Sequence, residues 1–342
     1  MARKDNSMSV TVVMYHFIRD LKHSRYPEIK GLDLALFKHQ LQYISKYYKV
    51  VQMEDVIEAL KSYKRLPKNS LLLTFDDGLK EHFEVVFPIL DRLGFQGSFF
   101  PPGKAIYEHK VLDVHKISFV LASVKDKNQL IDDIHSLMDK YRTEYKLKPN
   151  EHYYEKVASR RGFDHEQVVL IKSLLQKNLP KKLRETIINN LFSKYVGIDE
   201  AVFSRELYMD VEQLKCLIRQ GMYLGNHGWN HYRLNGVPAA QQAEEIDLSL
   251  NFLEILGCNN AQWVMSYPYG EYDSSLTNLL KRRGCALALT TQVGIANLAT
   301  CAPYGFPRLD TNDLPKNKDA APNEWTLKVI EGQNEQMNSN LQ

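Results

Sequence analysis

Short apolar runs that stop abruptly at polar, chemistry-bearing residues organise this chain and restrict the folds open to it. Residues 70–75 read Ser-Leu-Leu-Leu-Thr-Phe and pass directly into Asp76, Asp77 and Gly78. Residues 222–226 end just before His227, and residues 262–267 end just before Pro268, Tyr269 and Gly270. A run without polar alternation is the pattern of a strand buried on both faces, as in a parallel sheet. In parallel α/β folds, sites collect beyond the carboxyl ends of the strands. All three segments place their polar residues at such an edge.

Helical periodicity fills the spaces between the runs. Residues 33–48 carry Leu34, Phe37, Leu41 and Ile44 on one face, with Asp33 placed as an N-cap. Residues 53–63 and 79–93 read as further helices, the latter stopped by Gly94. A strand at 96–100 ends at Pro101, Pro102 and Gly103, and an earlier one, from Val10 to Tyr15, ends at His16. The alternation then lapses. Residues 104–205 show helical patterns at 129–145, 165–178 and 180–195, rich in lysine and glutamate, with few strand signals. This stretch is expected to be a helical insertion, a lid or a flanking subdomain. Alternation resumes with helix 210–220, strand 222–226, helix 238–256, strand 262–267, helix 274–283 and strand 285–290. The expected fold class is α/β with a parallel sheet, open or closed into a barrel, built from residues 8–103 and 206–312. Residues 313–342 are polar and weakly patterned and are expected to fray as a tail.

Composition narrows the function classes. A chain of 342 residues with 44% hydrophobic and 25% charged residues buries a sizeable core. A formal net charge of +3, with no long basic block, argues against a nucleic-acid partner. Cys216, Cys258, Cys285 and Cys301 lack metal-type spacing and read as buried thiols. The basic start at Arg3 and Lys4 has no apolar region behind it, and the first apolar run, 10–14, is too short for a signal peptide or membrane span. The expectation is a cytoplasmic protein with no stable membrane insertion.

Two adjacent carboxylates at a strand end repel unless a positive charge sits beside one of them. A divalent cation satisfies one and leaves the other to take protons. His227 and His231 lie in a glycine- and asparagine-rich loop that can bring both imidazoles to one ion. Two neutral imidazoles and a carboxylate are a common three-ligand set that leaves room for water and substrate. A rigid Pro-Tyr-Gly turn can aim a backbone N–H at a developing oxyanion. Each string alone is also what an ordinary turn contains. Their presence in this order carries the argument.

Together these segments resemble the polysaccharide deacetylase (NodB-homology) family, carbohydrate esterase family 4. The family's Thr-Phe-Asp-Asp-Gly is matched by Thr74 to Gly78, its His-x-x-x-His by His227 and His231, and its Pro-Tyr-Gly by Pro268 to Gly270. The likeness extends over most of residues 8–310 outside the insertion. It implies a distorted (β/α) barrel with one divalent ion, usually Zn2+, held by Asp77, His227 and His231. It further implies Asp76 as general base and the backbone N–H of Tyr269 as oxyanion donor.

Two departures qualify the match. The family's late catalytic histidine is absent, since no histidine follows His231. In a closed barrel the first and last strands are neighbours, so His16, ending the first strand, is expected to be the general acid in a circularly permuted arrangement. Ser266 stands where the family often has an arginine paired with the base; Arg308 is the expected substitute, with Asp310 orienting His16. Gly228 replaces a family Ser or Thr, and Trp229 is a candidate for stacking on a sugar ring. The reading is removal of an N-acetyl group from an acetylated amino sugar, as a cytoplasmic intermediate of surface glycan synthesis. The alternatives are an O-deacetylase or non-sugar amidase on the same metal, and a glycan-binding protein whose catalysis has decayed.

Overall fold

Strand β1 (Ser9–Tyr15) is buried from its second residue onward, as its valine-rich sequence requires. A computed structural model describes residues 8–158 and 165–330. The first seven residues, read above for a leader, and the last part of the expected tail lie outside this range.

Beyond β1 come the short parallel pair β2 (Ile18–Arg19) and β3 (Leu32–Asp33), then α1 (Leu34–Tyr47), β4 (Lys49–Val50), α2 (Met53–Ser62) and β5 (Ser70–Asp76). Asp33 caps α1 by accepting from Ala35 N, as its position before the first apolar residue predicts. A π-helical turn, His82–Val86, then leads into α3 (Phe87–Leu93), which ends on a left-handed Gly94. The sequence suggested one helix from 79 to 93; the structure delays the α-helix, and Leu79 instead bridges Tyr208. Strand β6 (Gly97–Phe100) and α4 (Gly103–Tyr107) complete the first stretch.

Among the described residues six α-helices follow, α5 (Asp113–Ser123), α6 (Lys127–Tyr141), α7 (Asn150–Ala158), α8 (Glu166–Ser173), α9 (Lys181–Tyr195) and α10 (Glu200–Leu207), with a π-helical turn, Leu174–Asn178, after α8. The chain then returns to alternation through α11 (Val211–Arg219), β7 (Tyr223–Leu224), α12 (Ala239–Leu256), β8 (Val264–Ser266), α13 (Ser274–Arg282), β9 (Leu287–Leu289), β10 (Ala296–Asn297) and β11 (Leu309–Asp310). Two compact units result. One comprises the sheets and their helices; the other comprises Leu21–Lys30 and Val111–Phe203. Within the helical unit, the rings of Tyr26, Phe119 and Phe203 pack edge to face, and Lys116 ion-pairs with Glu200. The excursion at residues 21–30 carried no helical signal that pointed to this partnership.

The main sheet runs β10-β1-β5-β6-β7, with β4 also on β5. Strand β1 pairs parallel with β5, with Tyr15 opposite Phe75, so His16 and Asp76 are the next residues on neighbouring strands. On its other edge β1 meets β10, antiparallel, at Ser9, and β11, parallel, at Val13 and Met14. First and last strands are therefore adjacent. Strands β8 and β9 form a separate parallel pair, and isolated parallel bridges join Asn226 to Met265 and Leu289 to Phe306.

Strand alternation divides the core in two. Val10, Val12, Leu72, Phe100, Val264, Leu287 and Leu289 share one cluster. Tyr15, Phe75 and Phe99 turn the other way and stack at 5.2 and 4.9 Å, with Phe37 of α1 edge-on to Tyr15. Each such buried side chain stabilises the fold by roughly 1.5–3 kcal/mol. By period 2, Asp76 lies on the same side of β5 as Leu72 and Thr74.

The expected fraying from Asp313 does not hold as far as residue 330. Gln40 Nε2 donates to the carbonyls of Thr311 (3.0 Å) and Leu314 (3.1 Å), while Tyr43 and Tyr48 both reach Thr326 Oγ1, at 2.7 and 2.9 Å. These buried hydroxyls need partners, and the polar segment supplies them. Among the described residues, no helix is long and apolar enough to cross a membrane.

Candidate metal centre

Strand β5 ends at Asp76, and the backbone turns sharply at Asp77, whose φ is 76°. A non-glycine residue in this region costs of order 1–3 kcal/mol and persists where its surroundings demand it. The turn is held by Asp77 N donating to Phe100 O at 3.1 Å, and Gly78, also left-handed, packs on Pro101. The two carboxylates thereby part company.

Asp77 Oδ1 lies 3.3 Å from His227 Nε2 and 3.4 Å from His231 Nε2. All three side chains are buried, and one ligand atom from each lies within 4.8 Å of the others. Bonds of about 2.1 Å at tetrahedral angles place neighbouring ligands roughly 3.4 Å apart, so the donors fit a divalent ion. His227 supports the same conclusion. Its Nδ1 is 2.7 Å from the carbonyl of Ser266, which assigns the ring proton to Nδ1 and the lone pair to Nε2. That Nε2 is buried and makes no hydrogen bond. Burial alone disfavours a charged His227, yet the carboxylates of Asp76 and Asp77 raise its pKa above the ordinary histidine value. Such a negatively charged pocket favours a cation.

Asp76 faces different company. Its carboxylate is buried and is met by Arg308 Nη2 at 2.8 Å and by Ser266 Oγ at 3.1 Å from each oxygen. Burial pushes its pKa up, but Arg308, His227 and His16 outweigh that and hold it below the usual carboxylate value. Arg308 is itself pinned, donating from Nε to Thr290 O (2.8 Å) and from Nη1 to Thr74 Oγ1 (3.3 Å). The expected substitute for the missing arginine thus does reach Asp76. Ser266 also touches it, a contact that the sequence signalled only as a departure.

His16 Nε2 lies 3.9 Å from Asp76 Oδ2, with a side chain 41% exposed. Its backbone carbonyl is 2.8 Å from Nε2 of the buried His82, which burial holds below the ordinary histidine pKa. Asp310 does not orient His16 as expected. Its Oδ1 serves its own turn instead, accepting from Asn312 N, Asn312 Nδ2 and Thr311 Oγ1.

Tyr269 is left-handed, at φ 61°, and its ring is 5.0 Å from that of His231. Arg233 covers the Tyr269 ring at 3.9 Å and ion-pairs with Glu271. Gly270 follows so closely under Thr291 that a Cβ would fall 2.2 Å from Thr291 Oγ1. Trp229 lies flat enough on Gly103 that a Cβ there would sit 2.4 Å from the indole, and Phe252 and Tyr107 flank it. The indole is half-buried among these neighbours.

Comparison with known proteins points the same way. The family profile described as polysaccharide deacetylase matches residues 187–288, which contain both histidines and the Pro-Tyr-Gly turn. YxkH of Bacillus subtilis (strain 168), a predicted polysaccharide deacetylase, is 28% identical over 91 residues, covering 26% of this chain and 32% of that protein's length. The deacetylase PplD of Streptococcus pyogenes, solved in complex with acetate, aligns at TM-score 0.54 and 18% identity over 90% of this chain and 96% of that one. IcaB from Ammonifex degensii aligns at TM-score 0.53 and 17% identity, over 95% and 97% respectively. At these identities the structural likeness is one of fold.

Proposed function

We propose that the chain is a polysaccharide deacetylase, a metal-dependent hydrolase removing an N-acetyl group from an acetylated amino sugar, a reading supported by the family profile over residues 187–288. The observation that carries this reading is the convergence of Asp77, His227 and His231, with a buried, arginine-paired Asp76 beside them. In the same reading the fold is a distorted (β/α) barrel, supported by the two bridges between sheets and by the pairing of β1 with β11.

Asp77, His227 and His231 would hold one divalent ion, with zinc favoured by the two-imidazole, one-carboxylate donor set. Such an ion lowers the pKa of a bound water and polarises a carbonyl oxygen. Asp76, kept ionised by Arg308, accepts the proton that the attacking water loses. His16 donates a proton from its ring to the departing amine, and its partial exposure suits a group that must meet substrate. The backbone N–H of Tyr269 faces the oxyanion, its left-handed turn locked by Gly270 beneath Thr291 and by Arg233 above the ring.

Acetate release from a panel of N- and O-acetylated amino sugars tests the proposal. Release from N-acetylated members, lost in Asp76→Asn with metal retained, is the expected result. Release confined to O-acetyl esters would replace it with an O-deacetylase, and stoichiometric metal without any release would indicate a glycan-binding protein.

A further inference from the structure

The loop that carries both histidines has no regular hydrogen bonding of its own. Residues 227–231 lie between β7 and α12, with Gly228 at φ 73° and His231 at φ 57°. A loop so shaped exposes backbone N–H groups that a buried site must satisfy. Its carbonyls are taken up by the start of α4, where Gly103 N donates to Gly228 O and Lys104 N to Trp229 O. Gly228 N donates to Asn226 Oδ1 at 2.8 Å, and the next two N–H groups converge on one side chain. Glu245 of α12, 2% exposed, accepts from Trp229 N at 3.1 Å and from Asn230 N at 2.8 Å through Oε2. Its Oε1 accepts from Asn230 Nδ2, and Asn230 Oδ1 in turn takes Lys104 Nζ at 2.8 Å.

We infer that Glu245 is a positioning residue for the metal, fixing the backbone between His227 and His231 so that His231 faces Asp77 and His227. His227 has a separate anchor in the Ser266 carbonyl. His231 follows immediately after the two residues that Glu245 holds, so its left-handed backbone depends on that grip. A carboxylate suits the task because both of its oxygens accept, whereas an amide would turn an N–H₂ group toward a donor. Burying a carboxylate is costly unless hydrogen bonds compensate, and here three donors do so. Groups that orient metal ligands in this way typically change metal affinity 10–100-fold when removed.

The inference rests on the metal-site reading above, and its test needs no substrate. Zn2+ affinity is measured by competition with a chromophoric chelator, and the Co2+-loaded protein is examined for its visible d–d bands. The proteins are wild type, Glu245→Gln, Glu245→Ala and Glu245→Met, with the thermal midpoint of each metal-free protein as control. The expected result is a loss of roughly 10–100-fold in Zn2+ affinity for Ala and Met, a smaller loss for Gln, and altered Co2+ bands. Folded variants that bind Zn2+ within about threefold of wild type with unchanged bands would overturn it. Equal losses in Gln and Met would do the same, since they would assign the effect to charge alone. If Ala and Met fail to fold, Gln against wild type decides. A wild type that binds no metal would sink the metal site itself, a distinguishable failure.

Discussion

Replacing Arg308 by Met removes the counter-charge behind Asp76 while keeping much of the side-chain volume. The guanidinium has a side-chain exposure of 0%, and Asp76 one of 2%. The variant therefore leaves a buried carboxylate without its ion pair, and leaves Thr290 O without the donor that Arg308 supplies. Removing one partner of a buried pair costs about 3–5 kcal/mol. The pH dependence follows from the shift. In wild type, the folded-state pKa of Asp76 lies below its unfolded value, so its contribution is present above about pH 3.9 and is lost as pH falls through the depressed value. Without Arg308, burial becomes the dominant influence and the folded pKa rises above the unfolded one. The stability gap between the two proteins is thus widest near pH 7. It narrows by up to about 1.4 kcal/mol per pH unit as pH falls below the variant's raised value. Urea unfolding of the metal-free proteins from pH 8 down to pH 4.5 measures this gap. A loss below about 1 kcal/mol, or one constant across that range, would refute the account of a buried pair.

His16→Ala is expected to lower kcat by about 10²-fold or more while metal content stays at the wild-type level; near-normal turnover would remove His16 from the mechanism. Ser266→Ala deletes the hydroxyl on Asp76 but keeps the carbonyl that holds His227. A hydrogen bond to a charged group is worth about 1.5–3 kcal/mol, so kcat should fall roughly tenfold or more with Zn2+ affinity unchanged, as read by kinetics beside chelator competition. Asp273 caps α13 by accepting from Leu276 N, so Asp273→Ala should cost about 1 kcal/mol in urea unfolding at pH 7. Burial is the largest single influence on the Asp273 pKa and raises it, but the hydrogen bonds it accepts from Leu276 N, Gly236 N and Gln242 together outweigh that and lower it. The cap's contribution therefore persists above about pH 3.9 and fades as pH falls through the depressed value. A deficit that grows on acidification would contradict it.

Local chemistry was legible wherever one segment contained the whole signal. The run from Ser70 to Phe75 is apolar and strand-forming, so Asp76 and Asp77 fall at a strand end whatever the rest of the chain does. The helix cap at Asp33 is equally local, a polar side chain bonding backbone two residues on. His16 lies beside Asp76 because β1 pairs directly with β5, whereas the sequence argument reached that neighbourhood through the adjacency of first and last strands. Other features depended on register between distant segments. Ser266 meets Asp76, Glu245 grips the histidine loop, and Thr326 receives Tyr43 and Tyr48 only once strands and helices are docked. Asp310 shows the converse, because a carboxylate at a strand end next to His16 found nearer donors in its own turn. Residue type and spacing are properties of the chain and announce which chemistry is available. Which side chain lies within 3 Å of which other is set by backbone packing over many residues, and that is decided only in the folded molecule.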